Sequence, residues 1–158
     1  MTLLALIPAR GGSKDIPRKN ILPFCGKPLL QWSIDAALAA NCVDQVIVST
    51  DDPVIAALAT ECGAEVPFMR PPELATDSAP GIGVVLHALE QLPSVSDLLL
   101  LQPTSPLRNS ADIENIIALR SRENTQSAVS LTPSTKHPAW MYSLDPKKQM
   151  SPLIPTRE

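Results

Sequence analysis

The chain has few aromatic side chains: two tryptophans, two phenylalanines and one tyrosine among 158 residues. So few rings do not make the stacking platform on which single-stranded nucleic acids are bound. The formal net charge of −3 also excludes a general basic field that would hold nucleic acid without sequence preference. We therefore expect no nucleic-acid partner.

Cysteine is scarce as well, with only Cys25, Cys42 and Cys62 and no C-x-x-C pair. An odd, widely spaced set favours neither a zinc site nor a disulfide framework, and buried thiols in a reducing cytosol are the simpler interpretation. The chain also lacks the run of about 18 to 20 apolar residues that a membrane span needs. Residues 1–8 lack the basic start of a signal peptide. These absences predict a cytoplasmic protein without a membrane segment.

The apolar segments that are present alternate between strand-like and helix-like patterns. Strands are predicted over 3–7, 43–50, 64–69, 97–102, 127–131 and 140–142, and helices over 28–40, 53–62, 81–92 and 110–122. Strands that alternate with helices indicate an α/β fold with a mainly parallel sheet. We expect residues 1–158 to form a single domain of this class.

The densest polar cluster is the loop after the first predicted strand, which reads IPARGGSKDIPRKN. Gly11 and Gly12 let the backbone turn its amides toward a ligand, and Asp15 alone opposes four cations. Those cations are Arg10, Lys14, Arg18 and Lys19. This composition suits a polyanion such as a nucleoside triphosphate, although the loop matches neither the P-loop nor the dinucleotide fingerprint. A solvated basic turn is the alternative.

Further polar clusters follow the other predicted strands, at Ser49–Asp52, at Arg70 and at Gln102–Ser105. Ligands of parallel α/β sheets bind beyond the carboxyl ends of the strands, so we expect these clusters to share one rim with the glycine loop. Each cluster has a structural alternative. Asp52 suits a helix cap, Arg70 a surface ion pair, and Gln102 an internal hydrogen bond.

Four of these segments together resemble the N-acylneuraminate cytidylyltransferases, the CMP-sialic acid synthetases. IPARGGSKDIPRKN looks like the signature of that family, and STDD, RPPELATD and LLLLQPTSPLR follow in its order and spacing. The resemblance is strongest from Leu3 to about Arg108. The sister family that activates 3-deoxy-manno-octulosonate has a different loop after IPAR, without GGSK, and is the less similar relative.

The resemblance implies a Rossmann-like three-layer fold of the nucleotide-diphospho-sugar transferase type, and a homodimer. It implies that CTP and a nonulosonic acid react with Mg²⁺ to give a CMP-sugar and pyrophosphate. By position, it assigns catalytic roles to Arg10, Lys19 and Gln102, with Arg10 and Lys19 stabilising charge at the α-phosphate. The binding residues that it implies are Ala9, Arg10, Gly11, Gly12, Ser13, Lys14, Lys19, Asn20, Ser49, Asp51, Arg70, Gln102, Thr104 and Ser105.

Two features depart from the family pattern. Asp15 stands where the family usually has glycine, which adds a carboxylate to the phosphate loop. Family members also continue beyond the position of Glu158, into segments that supply dimer contacts, sugar-binding residues and magnesium-binding aspartates, so no metal ligand is assigned here. The alternatives are a CTP-binding but catalytically incomplete homologue or fragment, and a nucleotidyltransferase for another sugar. Neuraminic, legionaminic and pseudaminic acids all remain open as substrates.

Overall fold

A computed structural model describes residues 2–13, 16–133, 142–145 and 149–152. The chain divides into two compact units, residues 1–128 and residues 129–158. The strands are β1 (Leu3–Pro8), β2 (Pro23–Phe24), β3 (Lys27–Pro28), β4 (Gln45–Ser49), β5 (Asp97–Leu100), β6 (Tyr142–Leu144) and β7 (Met150–Pro152). The helices are α1 (Leu29–Leu38), α2 (Pro53–Glu61), α3 (Gly81–Gln91) and α4 (Ser110–Arg122), with 3₁₀ turns at Lys19–Ile21 and Pro72–Leu74.

The first unit is built on a three-stranded parallel sheet in the order β4-β1-β5. In the register, Leu6 of β1 lies opposite Ile47 of β4 and Leu100 of β5. The apolar run of β1 is therefore the middle strand, as its continuous hydrophobicity predicts. The mainly parallel α/β fold predicted from the sequence is confirmed.

Alternate residues of β1 supply the two halves of the core. Ala5 and Ile7 pack with buried side chains of α1, α2 and α4, whereas Leu4 and Leu6 pack with Ala88 of α3. Successive side chains of a strand point to opposite faces, so helices cover both faces of the sheet. This is the three-layer arrangement that the sequence predicted.

Local signals in the sequence fix the start and end of α2. The Asp52 side chain accepts hydrogen bonds from the amides of Val54 and Ile55, and Pro53 occupies the first helical position. Gly63 follows the helix with φ of +91°, the left-handed conformation that ends many helices. The predicted cap at Asp52 is confirmed.

The predicted third strand, residues 64–69, is wrong as a full strand. It pairs with β4 only through an isolated bridge, in which Val48 donates to the Glu65 carbonyl and Glu65 donates to the Val46 carbonyl. Pro67 has no amide hydrogen and interrupts the ladder. Beyond Pro67, the chain again lies beside the edge of the sheet at Arg70, whose amide donates to the Thr50 carbonyl at 2.8 Å.

β5 is less buried than its apolar run predicts. It is an edge strand of the described sheet, it ends at Leu100, and 41% of the Leu100 surface is exposed. The strand predicted over residues 127–131 is also wrong, since these residues pair with no strand of the part that the structure describes.

The second unit contains one described element, the antiparallel pair β6–β7. The Ser143 and Ser151 hydroxyls lie 2.9 Å apart across this hairpin. The sequence suggested a strand at Tyr142 but none at Met150–Pro152. Among the described residues of both units, no helix is long and apolar enough to cross a membrane.

Candidate active site

A cavity of about 400 Å³ lies at the carboxyl end of β1. Its wall is formed by Pro8, Arg10, Gly12, Ser13, Lys19, Asn20, Arg70, Gln102, Pro103 and Thr104. Eight of these ten residues belong to the predicted binding set, and they come from three separate segments of the chain. The sheet therefore brings the glycine loop, Arg70 and the Gln102 loop to one rim, as expected for a parallel α/β sheet.

A second cavity of about 350 Å³ lies beside the first residues of β1 and β5. Its lining includes Leu3, Asp97 and Arg120, and Arg120 forms an ion pair with Asp97 at 2.6 Å. This cavity contains none of the predicted binding residues. The candidate site is therefore the cavity at the carboxyl ends of the strands.

Three cationic side chains, Arg10, Lys19 and Arg70, line the candidate cavity. Guanidinium and ammonium groups form short, charge-assisted hydrogen bonds with phosphate oxygens. Gly12 adds a stretch of wall without a side chain, where a ligand can approach the backbone closely. The lining therefore suits a ligand with several negative charges.

Arg70 is held rigidly despite its charge. Only 5% of its surface is exposed, its Nε donates to the Ser49 Oγ at 3.1 Å, and its Nη2 donates to the Ser49 carbonyl. Burial lowers the pKa of Arg70 from its usual value, while the charge of Asp51 raises it and that of Arg10 lowers it further. An arginine remains protonated at neutral pH even so. Arg70 thus presents a fixed positive charge to the cavity.

The glycine loop is tied to the end of β4 by backbone contacts. The Gly11 amide donates to Asp51 Oδ1 at 3.0 Å, and the Ala9 amide donates to the Ser49 carbonyl at 3.0 Å. From within the loop, Asn20 Nδ2 donates to the Arg10 carbonyl at 3.0 Å. These bonds fix the backbone that carries Arg10, so the cation is preorganised.

Arg10 also has a charged partner beside the cavity. Its Nη2 lies 2.5 Å from Asp77 Oδ1, with roughly a third of each side chain exposed. Asp77 follows the 3₁₀ turn at Pro72–Leu74, in the segment that begins at Arg70. One of the three lining cations is thus paired within the chain itself.

The Gln102 loop is a compact turn stabilised by Arg108. The Ser105 amide donates to the Gln102 carbonyl at 3.2 Å, and Arg108 Nη2 reaches the same carbonyl at 3.4 Å. Burial lowers the pKa of Arg108, and the nearby charge of Asp112 opposes that shift. The turn presents Gln102 and Thr104 to the cavity.

Several predicted binding residues do not line the cavity. Ala9 and Ser49 are buried behind the wall, and Gly11 and Asp51 support the loop through their mutual hydrogen bond. Ser105 lies in the Gln102 turn, outside the lining. Lys14, predicted as a phosphate ligand, and Asp15, the departure from the family, both fall outside the described residues.

The predicted binding set does not include three residues of the site. Pro8 and Pro103 line the cavity, and each closes a strand end that the sequence already marked. Asp77 lies within the RPPELATD motif, but a single carboxylate in a loop gave no signal of its contact with Arg10. Only the three-dimensional structure brings the two together.

A divalent metal at this cavity would need several oxygen ligands from the protein. In the part of the chain that the structure describes, no three His, Cys, Asp or Glu side chains cluster as a metal site. The nearby carboxylates already have partners, since Asp51 accepts from Gly11, Asp52 caps α2 and Asp77 pairs with Arg10. These residues do not fit a metal site built by the protein alone.

Fold and site together define an α/β protein with a cation-lined cavity at the carboxyl edge of a parallel sheet. The sequence profile of the cytidylyltransferase family matches residues 4–145. The chain belongs to that family.

Three relatives carry more specific names. The CMP-N,N'-diacetyllegionaminic acid synthase of Legionella pneumophila is 41% identical over 92% of this chain and 64% of its own length. The N-acylneuraminate cytidylyltransferase of Escherichia coli is 40% identical over 94% of this chain and 36% of its own. A pseudaminic acid cytidylyltransferase of Campylobacter jejuni is 45% identical over 69% of this chain and 49% of its own. The chain thus spans less than two thirds of the length of each.

Among solved structures, the CMP-2-keto-3-deoxy-manno-octonic acid synthetase complexed with CTP superimposes with a TM-score of 0.67. It is 25% identical, and the match covers 78% of this chain and 49% of that one.

Proposed function

We propose that this chain binds CTP in the cavity lined by Arg10, Lys19 and Arg70 and transfers CMP to a nonulosonic acid, releasing pyrophosphate. The observation that carries the proposal is the convergence of these three cations with Gln102 on one rim. Membership of the cytidylyltransferase family and the names of the three relatives support it.

In the proposed reaction, the anomeric hydroxyl of the sugar acid gives its proton to solvent water and its oxygen attacks the α-phosphorus of CTP. A new oxygen–phosphorus bond forms as the bond to the bridging oxygen of the β-phosphate breaks. Arg10 and Lys19 stabilise the charge that develops on the phosphate oxygens. Their backbone is fixed before the ligand arrives, so little reorganisation is needed at the reacting centre.

Some of the remaining site residues contact the ligand, and the others hold the residues that do. Gly12, Ser13, Lys14 and Asn20 complete the triphosphate loop, and Gln102 with Thr104 and Ser105 faces the sugar acid. Ala9, Gly11, Ser49 and Asp51 act from behind the wall, because their described bonds hold the loop and Arg70. Arg70 itself presents its charge to the nucleotide.

Several broader features belong to the same proposal. Residues 1–158 form one cytidylyltransferase domain, and the family match, which runs across both compact units, supports this. A homodimer in the cytoplasm and a requirement for Mg²⁺ are implied by the family resemblance. The three free cysteines fit a reducing compartment, but the prediction that they are buried is wrong for Cys25, which is exposed. The described residues offer no metal site, so no step is assigned to the metal here.

The proposal is tested by pyrophosphate release from CTP with neuraminic, legionaminic or pseudaminic acid and Mg²⁺. The chain should release pyrophosphate with at least one of the three acids, and Arg10→Ala and Lys19→Ala should lower kcat by about 100-fold or more, the range for loss of a preorganised charge stabiliser. CTP binding without product would instead support the incomplete homologue. Absence of both binding and product would overturn the proposal.

A further inference from the structure

The ion pair between Arg10 and Asp77 places a carboxylate of the chain against a cation of the candidate cavity. The 2.5 Å separation is that of a direct, charge-assisted contact. Arg10 lines the cavity, whereas Asp77 does not. A phosphate group that bound Arg10 would therefore meet this carboxylate on the same guanidinium.

Asp77 occupies Nη2 of Arg10, so a phosphate oxygen that bound this nitrogen would compete with the carboxylate. The side chains of Arg10 and Asp77 are both partly exposed, so their ion pair can break without disturbing the core. A carboxylate and a phosphate that shared one guanidinium would also repel each other, since like charges at such distances are unfavourable. Binding of a polyphosphate at this nitrogen would then displace Asp77.

We propose that Asp77 is an intramolecular competitor for Arg10, which a ligand displaces when it binds. In the nucleotide-free protein it holds the guanidinium, and a ligand reaches Arg10 only by replacing that carboxylate. The displacement lowers by the same factor the affinity of every ligand that binds Nη2 of Arg10. The identity of the ligand as CTP rests on the proposed function, but the exchange at Arg10 does not.

The test measures the Kd of inorganic tripolyphosphate and of CTP by calorimetry, for wild type and for Asp77→Asn and Asp77→Ala. Both variants should bind tripolyphosphate about two- to fivefold more tightly, the range expected when a partly exposed ion pair no longer competes. The gain should shrink as salt is raised, because exposed charges are screened. Glu73→Gln is the matched control, since it removes an exposed carboxylate four residues earlier and should leave the Kd unchanged.

A double variant separates exchange at Arg10 from a general charge effect. In an Arg10→Ala background, Asp77→Asn should no longer tighten tripolyphosphate binding. If both Asp77 variants bound tripolyphosphate with an unchanged or larger Kd, the inference would be overturned, because Asp77 would then orient Arg10 rather than compete for it. An equal gain in Glu73→Gln would overturn it as well.

The outcomes also separate this inference from the proposed function. Tighter tripolyphosphate binding in the Asp77 variants, without turnover of CTP in wild type, would support the exchange and contradict the cytidylyltransferase activity. Turnover of CTP by wild type, with no tighter tripolyphosphate binding in either Asp77 variant, would support the cytidylyltransferase activity and contradict the exchange at Arg10.

Discussion

Gly11→Ala is expected to be the most damaging small substitution in the glycine loop. An added Cβ would lie 2.7 Å from Asp52 Oδ2, 2.8 Å from its Cβ and 3.1 Å from its Cγ. Ordinary contact begins at 3.4 Å, so Asp52 or the loop would have to move by about 0.7 Å. Asp52 cannot give way easily, because its Cβ is close to its own backbone and its carboxylate caps α2.

Overpacking of this kind costs about 1–3 kcal/mol. For a chain of this size, that corresponds to a fall in Tm of about 2–10 °C. Gly12→Ala is the matched control, since an added Cβ there meets nothing within 4 Å, and its Tm should stay close to that of wild type. Urea denaturation and thermal melting of both variants make the comparison. Equal stabilities for the two variants would refute the close approach of Gly11 to Asp52.

Three further changes test the supports of the site. Arg70→Lys should cost about 1–3 kcal/mol in urea denaturation, because lysine cannot make both bonds to Ser49; an unchanged midpoint would contradict this. Asp52→Ala should cost about 1 kcal/mol and Asp52→Asn much less, since asparagine also caps helices; equal losses would contradict the cap. Iodoacetamide should label exposed Cys25 faster than Cys62, because burial raises the pKa of the Cys62 thiol; mass spectrometry showing equal rates would contradict it.

The fold was predictable where local pattern and tertiary environment agree. The apolar run of β1 and the Asp52-Pro53 start of α2 each carry their own signal, and both stand where the sequence placed them. The segment at 64–69 has a strand's composition, but Pro67 limits it to a single bridge. At β5, the apolar run indicated burial, yet burial depends on neighbours that a periodic pattern cannot supply.

The sequence predicted which residues belong to the candidate site better than it predicted which of them line the cavity. Ser49 ends β4 and Gln102 follows β5, but only Gln102 lines the cavity, whereas Ser49 is buried under Arg70. The sequence cannot distinguish these places, because both residues are short polar signals after apolar runs. The contact of Asp77 with Arg10 joins positions 67 residues apart and depends on the path of the intervening chain.

The most direct test of the account is the effect of CTP on thermal unfolding of wild type and of Arg10→Ala. If the cavity binds CTP, a concentration of 100 times Kd stabilises the folded state by about 2.7 kcal/mol. Wild type should therefore melt several degrees higher with CTP, and Arg10→Ala should lose most of that shift while keeping its own ligand-free Tm close to that of wild type. No shift in wild type, or an equal shift in the variant, would contradict the claim that this cavity is the nucleotide site.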